Sequence, residues 1–318
     1  MKSLNQYINE KLVLTNNTKV KKHQFNYHPK TNEELRTLVN KLIEERGNEA
    51  DLNDIDTSKI DDMSHVFENK KFNGDISDWD VSNVKYMGHM FLYNFDFTGK
   101  NTDFSNWDVS NVYHADGMFA GCQKFEGKGL ENWNLKSLGV AKEMFANCNE
   151  LNFDITNWDI SNIEYFESMF INCKKFNQDL SNWKFNHNVR NLTGLFMGCE
   201  SFEGKGLENW DVSQITNMRS MFAGCAKFNA DITKWDVYSV IGMCNMFHGC
   251  KEFNQDLSNW NVKNVMDITE MFRDSGMTYN LAKWAPKLHN KCKIKNALTN
   301  TPVTKSKRQP GWYFRKYV

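Results

Sequence analysis

The stretch 79–91, Trp-Asp-Val-Ser-Asn-Val-Lys-Tyr-Met-Gly-His-Met-Phe, decides the fold because most of the chain repeats its frame. Nine of the ten tryptophans follow one another at intervals of 24 to 28 residues. Phenylalanine comes twelve residues after each of the first eight, except at Phe196, where one extra residue intervenes. A period near 25 that persists over eight units is typical of coils stacked along one axis.

Each unit opens with apolar residues spaced as in a leucine-rich-repeat strand, with Trp79 and Val81 at alternate positions. Alternate side chains of a strand point to the same face, so this pair should be buried together. Apolar residues spaced by three then favour helical or 3-10 turns. The pattern predicts an α/β-type solenoid of about nine 25-residue leucine-rich-repeat coils. Short parallel strands would line its concave face and helical or 3-10 turns its convex face.

The run 79–84 with Met90-Phe91, and its recurrence at 107–112 with Met118-Phe119 and Cys122, resembles the BspA-type leucine-rich-repeat (surface protein) family. The resemblance covers about residues 51–284. It implies a right-handed solenoid that serves in binding or adhesion, often on bacterial surfaces.

The chain around the repeats predicts two terminal elements. Thr31 and Glu34 form a capping box, and an apolar stripe then leads to Gly47, where a helix should end. After the last repeat the chain is basic and carries Trp312, which is able to cover the far end of the stack. The predicted segments are an N-terminal arm at 1–30, a capping helix at 31–50, the solenoid at 51–284, and a basic C-terminal cap or tail at 285–318.

Charge is distributed unevenly although the formal net charge is zero. Residues 51–282 carry 33 acidic and 20 basic side chains, whereas residues 283–318 carry ten basic and no acidic ones. Such a tail is able to contact nucleic acid or another polyanion. No apolar run is long enough for a membrane span, and the N-terminus has no signal-peptide core. We therefore expect a protein without a recognisable secretion signal, in the cytoplasm or a virion.

A polar column lies between the repeat Trp and Val and should face solvent on the concave side. Adjacent like charges repel one another, so an acidic column favours recognition of a basic protein partner or a divalent cation. An alternative is that each side chain accepts a backbone N–H at its own turn. The candidate binding residues are Asp80, Asp108, Asn134, Asp159, Asp211, Asp236 and Asn261.

The sequence lacks the usual signatures of catalysis. It contains no Gly-rich phosphate loop, no nucleophile elbow and no His-x-x-x-His helix, so we expect no enzyme and no cofactor. Six cysteines each lie three residues after the repeat Phe and lack zinc-ligand spacing, which predicts a buried column of free thiols and no metal. They are Cys122, Cys148, Cys173, Cys199, Cys225 and Cys250.

These observations predict a non-catalytic leucine-rich-repeat protein-binding module that uses its concave Asp/Asn face. An alternative from another class is a phage virion structural or internal cargo protein, whose rigid body docks through its termini. The alternative rests on residues 1–10, which resemble the capsid-targeting peptide of tailed-phage internal proteins. That resemblance implies processing after Glu10.

Overall fold

The computed structural model describes residues 24–306 and 308–314. Helix α1 (Asn32–Arg46) precedes the repeats and has the predicted cap. The Thr31 hydroxyl accepts the N–H of Glu34 at 3.2 Å, and Gly47 ends the helix with a φ of 87°. Its apolar stripe covers the first coil because three of its side chains are fully buried, namely Leu35, Val39 and Leu42.

Successive coils are joined by alternate backbone N–H groups. From Met87 to Tyr93, every second N–H donates to a carbonyl of the next coil at 2.8 Å, while those between them close turns within the coil. The same alternation recurs one repeat later, from Ala115 to Gly121. Because nearly every amide in this segment has a backbone partner, the coils stack without regular secondary structure.

The predicted α/β solenoid with parallel strands is wrong. Within residues 24–306 and 308–314, neighbouring coils share isolated parallel bridges of one residue pair, such as Tyr86 with His114, and form no extended strand or sheet. The reason is local, because the N–H of Trp79 bonds to the carbonyl of Ile76 at 3.2 Å. The Trp-x-Val segment is thus entered by a turn, and a second turn follows it directly.

Left-handed residues end each bridge after one pair. Two positions per coil have positive φ, three and seven residues after the bridge residue, as at His89 (57°) and Tyr93 (58°). The second position is glycine in four coils, where this conformation carries no steric penalty. Those glycines are Gly121, Gly198, Gly224 and Gly249.

The core consists of aromatic columns that run along the stack, as the repeat phase predicts. Eight consecutive pairs of repeat phenylalanines, from Phe67 to Phe272, lie with ring centroids 5.0 to 6.0 Å apart and nearly parallel. The repeat tryptophans are buried beside them and most donate their indole N–H to the preceding coil, as Trp158 does to the Leu130 carbonyl at 3.0 Å. Each coil therefore adds one layer to a continuous apolar core.

Short helices complete the described chain. Helix α2 (Pro302–Lys305) lies near the C-terminal end, where Trp312 continues the tryptophan column by stacking on Trp284 at 6.1 Å. In the described ranges no helix is both long and apolar enough to cross a membrane. The 3-10 helices are Phe104–Asn106, Leu207–Asn209, Leu257–Asn259, Ala282–Trp284 and Gly311–Phe314.

Candidate functional site

All seven predicted binding residues are exposed, and each closes a turn. One side-chain oxygen of every member accepts the backbone N–H two residues further on, at 3.0 to 3.4 Å. The local role that the sequence left open as an alternative is therefore present at every position. The residues are Asp80, Asp108, Asn134, Asp159, Asp211, Asp236 and Asn261, which we call the Asx column.

The turns do not require the negative charge of the Asx column. Asn134 and Asn261 accept the same backbone bond as their aspartate neighbours. The pKa of the Asp159 carboxyl lies below its ordinary value, mainly because the Ser161 side chain hydrogen-bonds to it and secondarily because the Ser161 N–H does. The carboxylates of Asp108 and Asp211 have lowered pKa values for the same reason. These carboxylates are held ionised at the surface by neutral donors.

The acidic column has gaps. Lys184 occupies the equivalent position in one coil, where an extra residue shifts the turn so that Asn186 accepts the N–H of Asn188 at 2.8 Å. The carboxylates therefore form two adjacent pairs, Asp80 with Asp108 and Asp211 with Asp236, with Asp159 alone between them. A basic partner that spans the stack would meet separated negative sites.

A groove elsewhere on the coils was not found by the sequence analysis. It has a volume of about 480 Å³ and runs from Tyr93 and Phe95 to Gly224. It follows the two positions that flank the buried cysteine of each coil, or the buried Asn94 in the first coil of the groove. Its floor contains glycines and amides, and one end has two exposed aromatic rings. We call it the cysteine-flank groove; its lining is Tyr93, Phe95, Gly121, Gln123, Asn147, Asn149, Asn172, Lys174, Gly198, Glu200 and Gly224.

The six repeat cysteines form a buried column of free thiols, as predicted. Each Sγ–H points to the carbonyl of a repeat Phe in the preceding coil, at 2.9 to 3.2 Å. Burial raises the pKa of all six thiols above the ordinary value, so they are protonated and act as donors. Cys244 differs because it is partly exposed and lies 3.3 Å from the Arg219 guanidinium.

Thiol titration of the folded protein should show one thiol reacting well ahead of the others. Cys244 should react first because it is partly exposed, whereas the column thiols are fully buried. The measurement is the time course of reaction with an aromatic disulfide, with and without denaturant. A Cys244→Ala variant should lose the early phase. Fast reaction of several thiols in that variant would contradict the buried column.

A polar cluster of histidines lies at the N-terminal coils. Asp116 lies between His114 Nδ1, at 2.6 Å, and His89 Nδ1, at 3.6 Å, and the His89 ring stacks on that of His65 at 5.1 Å. Nevertheless, the described part of the chain contains no group of three or more His, Cys, Asp or Glu residues placed to hold a metal ion. The predicted processing residue Glu10 lies outside the described residues.

Comparison with known families identifies the repeat. A family model described as "Mycoplasma protein of unknown function, DUF285" matches the chain three times, over residues 33–127, 94–205 and 190–309. The chain belongs to the DUF285 family. The three matches overlap and together span helix α1 and the stacked coils. Neither the curated proteins nor the solved structures yielded a match.

The resemblance to the BspA-type leucine-rich-repeat family is corrected by this result. The matching family is DUF285 and not a leucine-rich-repeat family. The coils agree with the correction, since they are built from turns and single bridges where a leucine-rich repeat would have strands. The chain is thus a DUF285 repeat protein, and neither "leucine-rich repeat" nor "BspA-like" describes it.

Proposed function

We propose that this DUF285 protein is a non-catalytic binding protein that recognises a basic protein partner through the Asx column. The observation that supports the proposal is that some coils have Asp and others Asn at the same position of the column. Since Asn134 and Asn261 close the same turn without a charge, the turn does not account for carboxylates at the other five positions. Repeated exposed charge on a rigid stack is suited to electrostatic recognition.

A second contact and an alternative role are also proposed. The exposed basic side chains near the C-terminal end, such as Lys293, Lys295 and Arg308, are able to contact nucleic acid or another polyanion. A role as a virion structural or internal protein depends on residues 1–10, which lie outside the described part of the chain. Mass spectrometry of the mature protein tests that role, because processing after Glu10 is expected only there.

Replacing all five aspartates of the Asx column by asparagine should keep the fold and weaken binding to a basic partner. Asparagine retains the turn acceptor, so the melting temperature should change little. Loss of five negative charges should reduce affinity about tenfold or more at low salt, with a smaller salt dependence. Circular dichroism checks the fold, and calorimetric titration with basic proteins recovered by pull-down checks binding.

A matched variant distinguishes the effect of charge at the Asx column from the effect of the protein's net charge. Changing five exposed acids elsewhere to their amides removes the same charge and should affect binding much less; we choose Glu126, Asp154, Glu203, Glu208 and Asp231. If both variants weaken binding equally, the Asx column has no special part in recognition. If the column variant unfolds, the carboxylates serve the turns themselves.

A further inference from the structure

The cysteine-flank groove is the second exposed surface that the repeat builds, and it differs in chemistry from the Asx column. It runs along the stack across six coils, or five steps of about 4.8 Å. Two positions per coil form it, one on each side of the buried cysteine, which is replaced by Asn94 in the first coil of the groove. At most coils these are small or polar residues, but in the coil of Tyr93 and Phe95 both are aromatic.

The aromatic rings of Tyr93 and Phe95 are exposed, so they add little to the buried core of their own coil. Tyr93 is 48% and Phe95 is 52% exposed, and their ring centroids lie 5.9 Å apart at an interplanar angle of 28°. Tyr93 also has a φ of 58°, a left-handed conformation that a bulky side chain rarely adopts. The repeat imposes this conformation on every coil, so the fold accounts for the φ value but not for a bulky residue at this position. The tyrosine thus carries a conformational penalty and gains little burial.

The neighbouring coil makes room for the tyrosine ring. A Cβ atom at Gly121 would lie 3.0 Å from Cδ1 of Tyr93 and 3.2 Å from its Cα. Further along, the Asn172 side chain occupies the space over Gly198 and donates to the Asn147 side chain at 2.8 Å. The groove therefore has an aromatic platform at one end and a row of amides along its floor.

Charges at the groove are paired with one another. The charged residues of its lining are Lys174 and Glu200, which lie 3.2 Å apart. Two further pairs are adjacent in sequence to lining residues but outside the lining, namely Lys124 with Asp96 at 2.6 Å and Lys175 with Glu150. Each pair links neighbouring coils, and the lining itself has no excess of either sign. This pattern matches a neutral ligand and provides no cluster of cations for a polyanion.

We propose that the cysteine-flank groove binds a neutral oligosaccharide. A sugar ring has an apolar C–H face, which suits the exposed rings of Tyr93 and Phe95, and hydroxyl groups that both donate and accept. Asn and Gln amides also do both, and so match hydroxyls that line up along the groove. The amides in question are Gln123, Asn147, Asn149 and Asn172.

The spacing of the amides favours a saccharide over an extended peptide. They lie on three successive coils, one on the first, two on the second and one on the third, and the coils are about 4.8 Å apart. An extended peptide repeats its side-chain and backbone pattern every two residues, or about 6.6 Å, and would lose register within a few coils. A pyranose unit with its glycosidic oxygen is close to one coil step in length. One sugar per coil would therefore meet at least one amide on each of these three coils.

Calorimetric titration of the full chain with maltopentaose, cellopentaose and chitopentaose tests the proposal. At least one of these neutral sugars should bind, and the double variant Tyr93→Asn with Phe95→Gln should weaken that binding tenfold or more. Both replacements already occur at the equivalent positions, as Asn147 and Gln123. The variant should therefore fold, with a melting temperature equal to or above that of the wild type because the left-handed tyrosine is removed.

Controls separate the groove from other surfaces. Tyr238→Ser removes an aromatic ring that is 47% exposed outside the groove and should leave sugar binding unchanged. The fivefold Asp→Asn variant of the Asx column should also bind sugar normally, so failure of one proposal does not imply failure of the other. Absence of binding by all three sugars at millimolar concentration would overturn the proposal. Undiminished binding by the double variant would also overturn it, as would groove-dependent binding of a neutral ten-residue peptide in place of sugar.

Discussion

Replacing Trp158 by alanine should lower the free energy of unfolding by about 3–5 kcal/mol. Trp158 is 2% exposed in a middle coil, and its ring lies 5.3 Å from Phe153 and 6.1 Å from Phe145. The coils on either side are held by backbone hydrogen bonds, so they cannot close the cavity. The carbonyl of Leu130 would also lose its indole donor. Urea denaturation followed by circular dichroism measures the change.

A pair of phenylalanine variants separates the hydrogen bond from the packing. Trp183 is equally buried, yet its indole nitrogen has no hydrogen-bond partner among the described residues. Trp158→Phe should therefore be more destabilising than Trp183→Phe, by about 1 kcal/mol. A larger loss of stability for Trp183→Phe than for Trp158→Phe would contradict the role of the indole hydrogen bond. A loss below about 1 kcal/mol for Trp158→Ala would contradict the tightly packed tryptophan column.

Replacing Gly206 by alanine should destabilise the protein by about 3 kcal/mol or more. Gly206 has a φ of 90°, and a Cβ atom there would lie 2.2 Å from the backbone nitrogen of Ser181 in the preceding coil. Because the obstacle is backbone, two coils would have to separate. The measurement is the midpoint and slope of urea unfolding.

Gly224→Ala is the matched control for this effect. Gly224 is also left-handed, with a φ of 79°, but its nearest neighbour would be 3.5 Å from the new Cβ. Only the conformational penalty then remains, about 1–2 kcal/mol. Equal losses in the two variants would show that the close approach of coils at Gly206 contributes nothing.

Several features could be predicted because each depends on few neighbouring residues. Thr31 and Gly47 mark helix α1 by local capping chemistry, and the structure has both at the expected places. The burial of Trp107, Trp158 and Trp210 followed from their common phase and is present. The strands were predicted wrongly because three apolar residues at 76, 79 and 81 fit either a strand or a turn. Turn hydrogen bonds within the coil, from the N–H of Trp79 to Ile76 and from that of Val84 to Val81, show that the turn is formed.

The candidate surfaces were predictable to different degrees. The Asx column is visible in the sequence because its members share one repeat position, and its exposure agrees with the prediction. The cysteine-flank groove is not visible, since Tyr93 and Gly121 are 28 residues apart and become neighbours only when coils stack. Its left-handed tyrosine has no sequence signature, because the other coils have Gly, Asn or Asp there.

The sequence by itself determined the repeat period, the identity of the buried columns and the capping helix. The period and the columns follow from the recurrence of the same residue types, and the helix follows from capping residues that are close in sequence. The tertiary structure alone decided how the coils join. Alternate N–H groups find carbonyls about 25 residues away, and left-handed residues end each bridge after a single pair. Those contacts place a tyrosine over a glycine of the next coil and open the groove, since geometry between distant residues is set by packing and not by local propensity.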